Sequence, residues 1–326
     1  EKLIALATND NTRWGLPGIT SFEYAFNNAS KLTSVPTGVP SSVTNMADMF
    51  SGASVFNQDI STWNVSNVTN MSNMFFNAQS FDQDINIWDV SSVTNMSYMF
   101  SGANVFDQDL SSWIVSNVNN MTSMFSNTDF NQDIGGWDVS NVNNMNNMFS
   151  NASLFNEDLS SWNVSNVTNM SYMFRLTSFN KDITSWNVSN VISMSGMFFN
   201  AQSFDQDINI WDVSSVTNMS YMFQYAFAFD QYIRNWSTNG GPVTDYLNMF
   251  ESATAMISTY SGITGFGTTP TSDFFNLNIS FNLSLTFQDS SSIGSVTLPI
   301  IENSSDPITF TINWGDGTID SLLTHN

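Results

Sequence analysis

Seven aspartates recur at intervals of 24 or 25 residues: Asp59, Asp84, Asp109, Asp133, Asp158, Asp182 and Asp207. Carboxylates repeated in register admit three kinds of chemistry. They can share calcium, which needs six to eight oxygens per ion. A pair can serve glycoside hydrolysis. Or each can accept backbone hydrogen bonds where the chain turns. Catalytic carboxylates need differently tuned surroundings, whereas these pairs look the same from one repeat to the next, which argues against an enzyme. No D-x-D-x-D-G loop accompanies the series, so calcium at the seven positions is an expectation carried by their spacing alone. Asp82, Asp107, Asp205 and Asp230 add carboxylates close by. Other reactive types are scarce. The chain has no cysteine and one histidine, His325. Thiol nucleophiles, multi-histidine zinc sites and most triads are thereby excluded, His325 reads as a solvated tail residue, and the chain reads as noncatalytic.

The elements that must position these residues follow from the same period. Met-Phe dipeptides end at Phe50, Phe75, Phe100, Phe125, Phe149, Phe174, Phe198, Phe223 and Phe250. Residues Met74–Phe100 recur letter for letter as Met197–Phe223. A period of this length indicates a solenoid. Trp63 and Val65, two apart, predict one face of a short strand. Met71, Met74 and Phe75, at spacings of three and four, predict one face of a helical turn. Stacked units then form a continuous core, with Trp63, Trp88, Trp113, Trp137, Trp162, Trp186 and Trp211 in one column and Phe56, Phe81 and Phe106 beginning another. Asn45, Asn70, Asn95, Asn120, Asn144, Asn169 and Asn218 form a further column, expected to hydrogen-bond the coil above.

The stretch FNQDISTWNVSNVTNMSNMF resembles the repeat of BspA-like leucine-rich-repeat surface proteins, in a form where Trp, Val and Met replace many leucines. The resemblance covers roughly residues 20–250. It implies a leucine-rich-repeat-like solenoid, a bacterial cell-surface or secreted location, an adhesive or structural role and no catalytic residues. Further on, INWGDGT at Ile312–Thr318 is similar to the WGDGT segment of PKD-like β-sandwich domains.

The expected organisation is an N-terminal cap at 1–45, the solenoid at 46–258, a Ser/Thr/Gly-rich linker at 259–275 and a small all-β, PKD/Ig-like module at 276–326. In that module Leu277 to Phe287 alternate as a strand, with others near Val296–Ile300, Ile308–Trp314 and Ile319–Leu323. Four strands make an incomplete sandwich with open edges. Three readings stand: truncation, a free-standing module, or completion by a strand from a neighbouring subunit. EKLIALAT at Glu1–Thr8 is a candidate donor, and such head-to-tail contacts generate filaments.

Among 326 residues, 28 are Asp or Glu and 6 are Lys or Arg, a net charge of −22. This argues against nucleic acid and anionic membranes as partners. No apolar run approaches the ~18 residues of a membrane span. The sequence opens at Glu1 without an initiator Met, as if processed or cut from something longer, which points weakly to export. Polar positions beside the tryptophans, Asn64, Asp89, Asp138, Asn163, Asn187 and Asp212, would form the concave face. They suit many weak contacts, to glycans, to host or matrix proteins, or to copies of the same chain, better than one deep pocket. Sequons place Asn64, Asn67, Asn163, Asn187, Asn235 and Asn278 as glycosylation acceptors if the source has the machinery. The leading expectation is a noncatalytic extracellular repeat protein that joins head to tail through its β-module. The alternative is an adhesin using the concave face.

Overall fold

A single 24- or 25-residue repeat cannot enclose its own apolar side chains, so neighbouring repeats must share a core. In the computed structural model they do so by lying one over the next. The structure describes residues 18–237 and 244–275, and the backbone of four strands between 279 and 323. Two units are distinct, 1–276 and 277–326.

In the first unit, single parallel bridges join Ser21, Asn45, Asn70, Asn95, Asn120, Asn144, Asn169, Ser193, Asn218 and Asp245 in order, one residue per coil. From each bridge the chain runs as a ribbon of successive turns. The N–H groups of Met71, Asn73, Phe75 and Asn77 donate to Asn95, Ser97, Met99 and Ser101 of the next coil, at 3.0, 2.8, 2.8 and 2.8 Å. Those of Met74, Phe76 and Ala78 donate three residues back, to Met71, Asn73 and Phe75. Ser72 N–H donates to Asn70 Oδ1 at 3.1 Å. Every N–H from 71 to 78 is therefore satisfied, as a buried backbone requires.

This ribbon replaces the helical turn expected from the Met71, Met74, Phe75 spacing. Asn73 and Asn77 have φ of 55° and 54°, in the left-handed region that a right-handed helix does not visit. Two such residues, four apart, occur in every coil from Tyr24 and Asn28 to Asn248 and Ser252. The second of each pair is mostly Asn or Gly: Asn28, Gly52, Asn77, Gly102, Asn127, Asn151 and Asn200. These types tolerate a positive φ at little cost. The expected strand through Trp63 and Val65 likewise carries no ladder among the described residues. Inter-coil pairing sits at Asn70 instead.

The apolar columns face inward. Trp63 is 3 % exposed, and Phe56, Met71, Met74 and Phe75 are fully buried. Within one coil Phe75 stacks on Phe81 at 3.9 Å, and across coils on Phe100 at 5.6 Å. Trp113 stacks on Trp137 at 6.4 Å. Each indole N–H of the stacked tryptophan column is used as well: Trp88, Trp113 and Trp137 Nε1 donate to the Ile60, Ile85 and Leu110 carbonyls of the preceding coil at 3.2, 3.1 and 3.1 Å. Full burial of one such aromatic stabilises by about 1.5–3 kcal/mol, and the coils repeat it along a single core.

Residues 259–275, expected as a linker, close the last coil. Phe250 N–H donates to Thr268 O at 2.9 Å and Asn248 N–H to Thr269 Oγ1 at 2.8 Å, where an eleventh coil would otherwise accept. A helix α1 (Thr254–Tyr260) and a short helix α2 (Ser272–Phe275) follow. Phe274 and Phe275 are buried, with Phe275 against Tyr246 at 5.0 Å and Phe274 against Phe266 at 5.2 Å. Arg234 lies over the Phe274 ring and donates to its carbonyl at 3.3 Å. The end of a stack exposes a row of apolar side chains, and a terminal segment must cover it. At the other end Leu32 and Val39 pack partly buried against the core within the first coil.

The second unit contains β1 (Ile279–Thr286), β2 (Ile293–Ile300), β3 (Thr309–Asn313) and β4 (Ile319–Leu323). β1 pairs antiparallel with β2, Ile279 opposite Ile300, and β3 with β4, Thr309 opposite Leu323. These are two separate two-stranded sheets. Trp314–Thr318, Asn278, His325 and Glu1–Thr8 lie outside the described residues.

Candidate functional site: the polar columns

Each aspartate of the leading series is exposed and folds onto its own turn. The N–H two residues on donates to the carboxylate: Ser61 to Asp59, Asn86 to Asp84, Ser111 to Asp109, Gly135 to Asp133, Ser160 to Asp158, Thr184 to Asp182 and Asn209 to Asp207, at 2.8–3.0 Å. These are Asx turns. The backbone N–H, then the hydroxyl of the same residue, holds Asp59, Asp109, Asp158 and Asp182 below the usual carboxylate range. Among the described residues no group of three or more His, Cys, Asp or Glu is placed to hold a metal ion.

The positions flanking the tryptophans behave the same way. Asn64, Asp89, Asp138, Asn163, Asn187 and Asp212 are exposed. Each accepts the N–H of the serine two residues on, at 3.0–3.2 Å. Asp89 and Asp138 are lowered by the serine hydroxyl first and its N–H second. The structure thus brings these six into one repeated, exposed position. Ile87, Ile114 and Ile210 stand exposed beside them, at 75, 61 and 68 %.

Among the sequons, Asn67 and Asn235 use their amide nitrogens within the stack, on Ser41 O at 2.8 Å and Asn209 O at 3.0 Å. An acceptor amide engaged in this way is not free for a glycan. Asn64, Asn163 and Asn187 project to solvent. The Asn45 to Asn218 column differs from expectation too: its side chains accept from their own turn, as Asn70 does from Ser72, while their backbone makes the bridge to the next coil.

One ladder was not legible as such. Asn57, Asp82, Asp107, Asn131, Asn156, Asn180 and Asp205 each accept, through Oδ1, the N–H of the equivalent residue one coil on, at 2.8–3.2 Å. Gln83, Gln108, Gln206 and Gln231 add an amide N–H to the same oxygens. The sequence signal is a position that varies only between Asn and Asp, two types sharing one acceptor oxygen but not a charge.

Buried columns locked by repeated backbone and Asx hydrogen bonds define a stacked-coil repeat protein. The chain matches the family described as "Mycoplasma protein of unknown function, DUF285" over residues 20–129, 115–181 and 175–263. These matches cover well over half of its length, and the chain belongs to that family, a BspA-like repeat family in general terms. No curated protein and no solved structure matches it. Among the described residues no helix is long and apolar enough to cross a membrane.

Proposed function

We propose that this chain is a noncatalytic structural repeat protein of the cell exterior, assembling head to tail through its C-terminal β-module. The observation that carries the reading is uniformity. Equivalent carboxylates in successive coils make the same Asx turn, so no coil is set apart to hold reacting groups. In this reading the stack is a Trp, Val and Met form of the BspA-like leucine-rich-repeat solenoid, and residues 276–326 are a PKD-like module. The two-stranded sheets β1–β2 and β3–β4 support assembly, because an unpaired strand edge is a template for a strand from another chain. Negative-stain microscopy of the purified chain tests it. Filaments or end-to-end arrays are expected, and dispersed monomers at high concentration would overturn it.

One observation favours a second reading, an adhesin that uses the face beside the tryptophans. Ile87, Ile114 and Ile210 are exposed there without a core role. A glycan or matrix-protein screen compared with an Asn163, Asn187 and Asp212 triple-alanine variant separates the two, since assembly through the β-module does not involve that face.

A further inference from the structure

On the turn ribbon the position after each Met-Phe holds a small, buried side chain in four coils: Ser51, Ser101, Ser126 and Ser150. Arg175 and Phe199 replace the serine in two consecutive coils. The Arg175 guanidinium lies 5.4 Å over the Phe199 ring, and Phe199 meets Tyr225 edge-on at 5.7 Å. Tyr225 in turn meets Phe227 at 6.5 Å. One turn before Arg175, the Tyr172 ring lies on Gly196 so closely that a Cβ there would come within 2.2 Å of it. Gly196, at φ 58°, leaves that ring its place. The result is one cation on an aromatic ring, with further rings next to that ring, in a chain of net charge −22. The guanidinium makes no hydrogen bond or ion pair with a described residue, so its planar fork of donors is available to a carboxylate. Phe227 is 40 % exposed, and Tyr172, Arg175, Phe199 and Tyr225 are partly exposed.

We propose that this patch binds a carboxylated sugar, with the carboxylate on Arg175 and the C–H faces of the ring on Tyr172, Phe199 and Tyr225. Two physical reasons select that partner. Aromatic rings beside an Arg are the composition of binding hot spots, and flat rings accept the apolar face of a sugar. A partner with many negative charges is repelled wherever they come within a Debye length, about 8–10 Å, of the acidic surface, whereas a single carboxylate is paired with the one cation. The inference is independent of assembly through the β-module.

Titration of the intact chain with sialyllactose, glucuronic acid and neutral lactose, followed by ligand-observed NMR, tests the proposal and separates the two sources of carboxylate. Binding of at least one acidic sugar, weakened by salt and absent for lactose, is expected. Arg175→Gln, which installs the residue already present at the equivalent Gln224, is expected to lower that affinity tenfold or more with unchanged melting. Phe199→Ser should lower it as well, and Arg234→Gln should not. Four results would each overturn the proposal. One is no binding of either acidic sugar at about 10 mM, where even a weak monovalent contact registers. The others are equal binding of lactose, an unaffected Arg175→Gln variant, and binding of a glutamate-containing peptide in place of the sugars.

Discussion

Asn151 offers the most direct test of the turn ribbon. It is exposed, with φ 61°, its N–H donating to Arg175 O at 2.7 Å and its side-chain amide to Asn127 Oδ1 at 2.9 Å. Asn151→Val and Asn151→Gly both remove the side-chain hydrogen bond, and neither fills or empties a core cavity. They differ in what they do to the backbone. A β-branched residue in the left-handed region costs about 1–2 kcal/mol. Glycine adopts it freely and loses only the entropy of a more flexible unfolded chain, which is within about 1 kcal/mol. Urea unfolding followed by tryptophan fluorescence should therefore show Asn151→Val less stable than Asn151→Gly by about 1 kcal/mol, the strain less glycine's entropy loss, at an unchanged m-value. A helical turn at this place reverses the order, because glycine is the poorer residue inside a helix. Equal stabilities, or a more stable valine variant, would refute the left-handed ribbon.

Trp162 Nε1 donates to Ile134 O at 3.1 Å. Trp162→Phe keeps most of the ring and removes one of the two donors on that carbonyl, which the Trp137 N–H still reaches at 3.1 Å, so a loss of about 0.5–1.5 kcal/mol is expected in the same urea assay. Acid should destabilise the stack in a defined direction. Asp59, Asp89, Asp109, Asp138, Asp158 and Asp182 are all lowered by hydrogen bonds to their own turns. Their contribution is therefore complete above the unfolded value, about pH 4, and is lost as pH falls through the lower folded values. Asp48, raised by burial, works in the opposite sense, and thermal melts from pH 6 down to pH 2 should still fall below pH 4. A flat profile would show the Asx hydrogen bonds to be absent in solution.

The burial of the Trp, Phe, Val and Met columns was legible in the sequence because the same residue types return every 24 or 25 positions and a repeat cannot bury them alone. The four strands beyond residue 276 were legible for a similar reason, since strict alternation has one structural reading. The roles of the polar columns were less so. Asp59 and Asn57 are two residues apart and chemically alike, yet Asp59 serves its own turn and Asn57 the next coil. That difference depends on which backbone N–H lies within reach, and a neighbour about 25 residues away along the chain is not visible in local spacing.

The sequence by itself determined the period, the inward-facing set and the absence of cysteine and multi-histidine chemistry, because periodicity and residue inventory are one-dimensional properties. Only the tertiary structure decided that Met71, Met74 and Phe75 lie on a ribbon of turns. Residues three and four apart share a face in a helix and in consecutive turns alike, and the sign of φ at Asn73 and Asn77 separates the two. It also decided that residues 259–275 cover the end of the stack. Their Ser, Thr and Gly content suits a loop, but Phe274 and Phe275 meet an open apolar row there, and burying that row outweighs the loop's freedom.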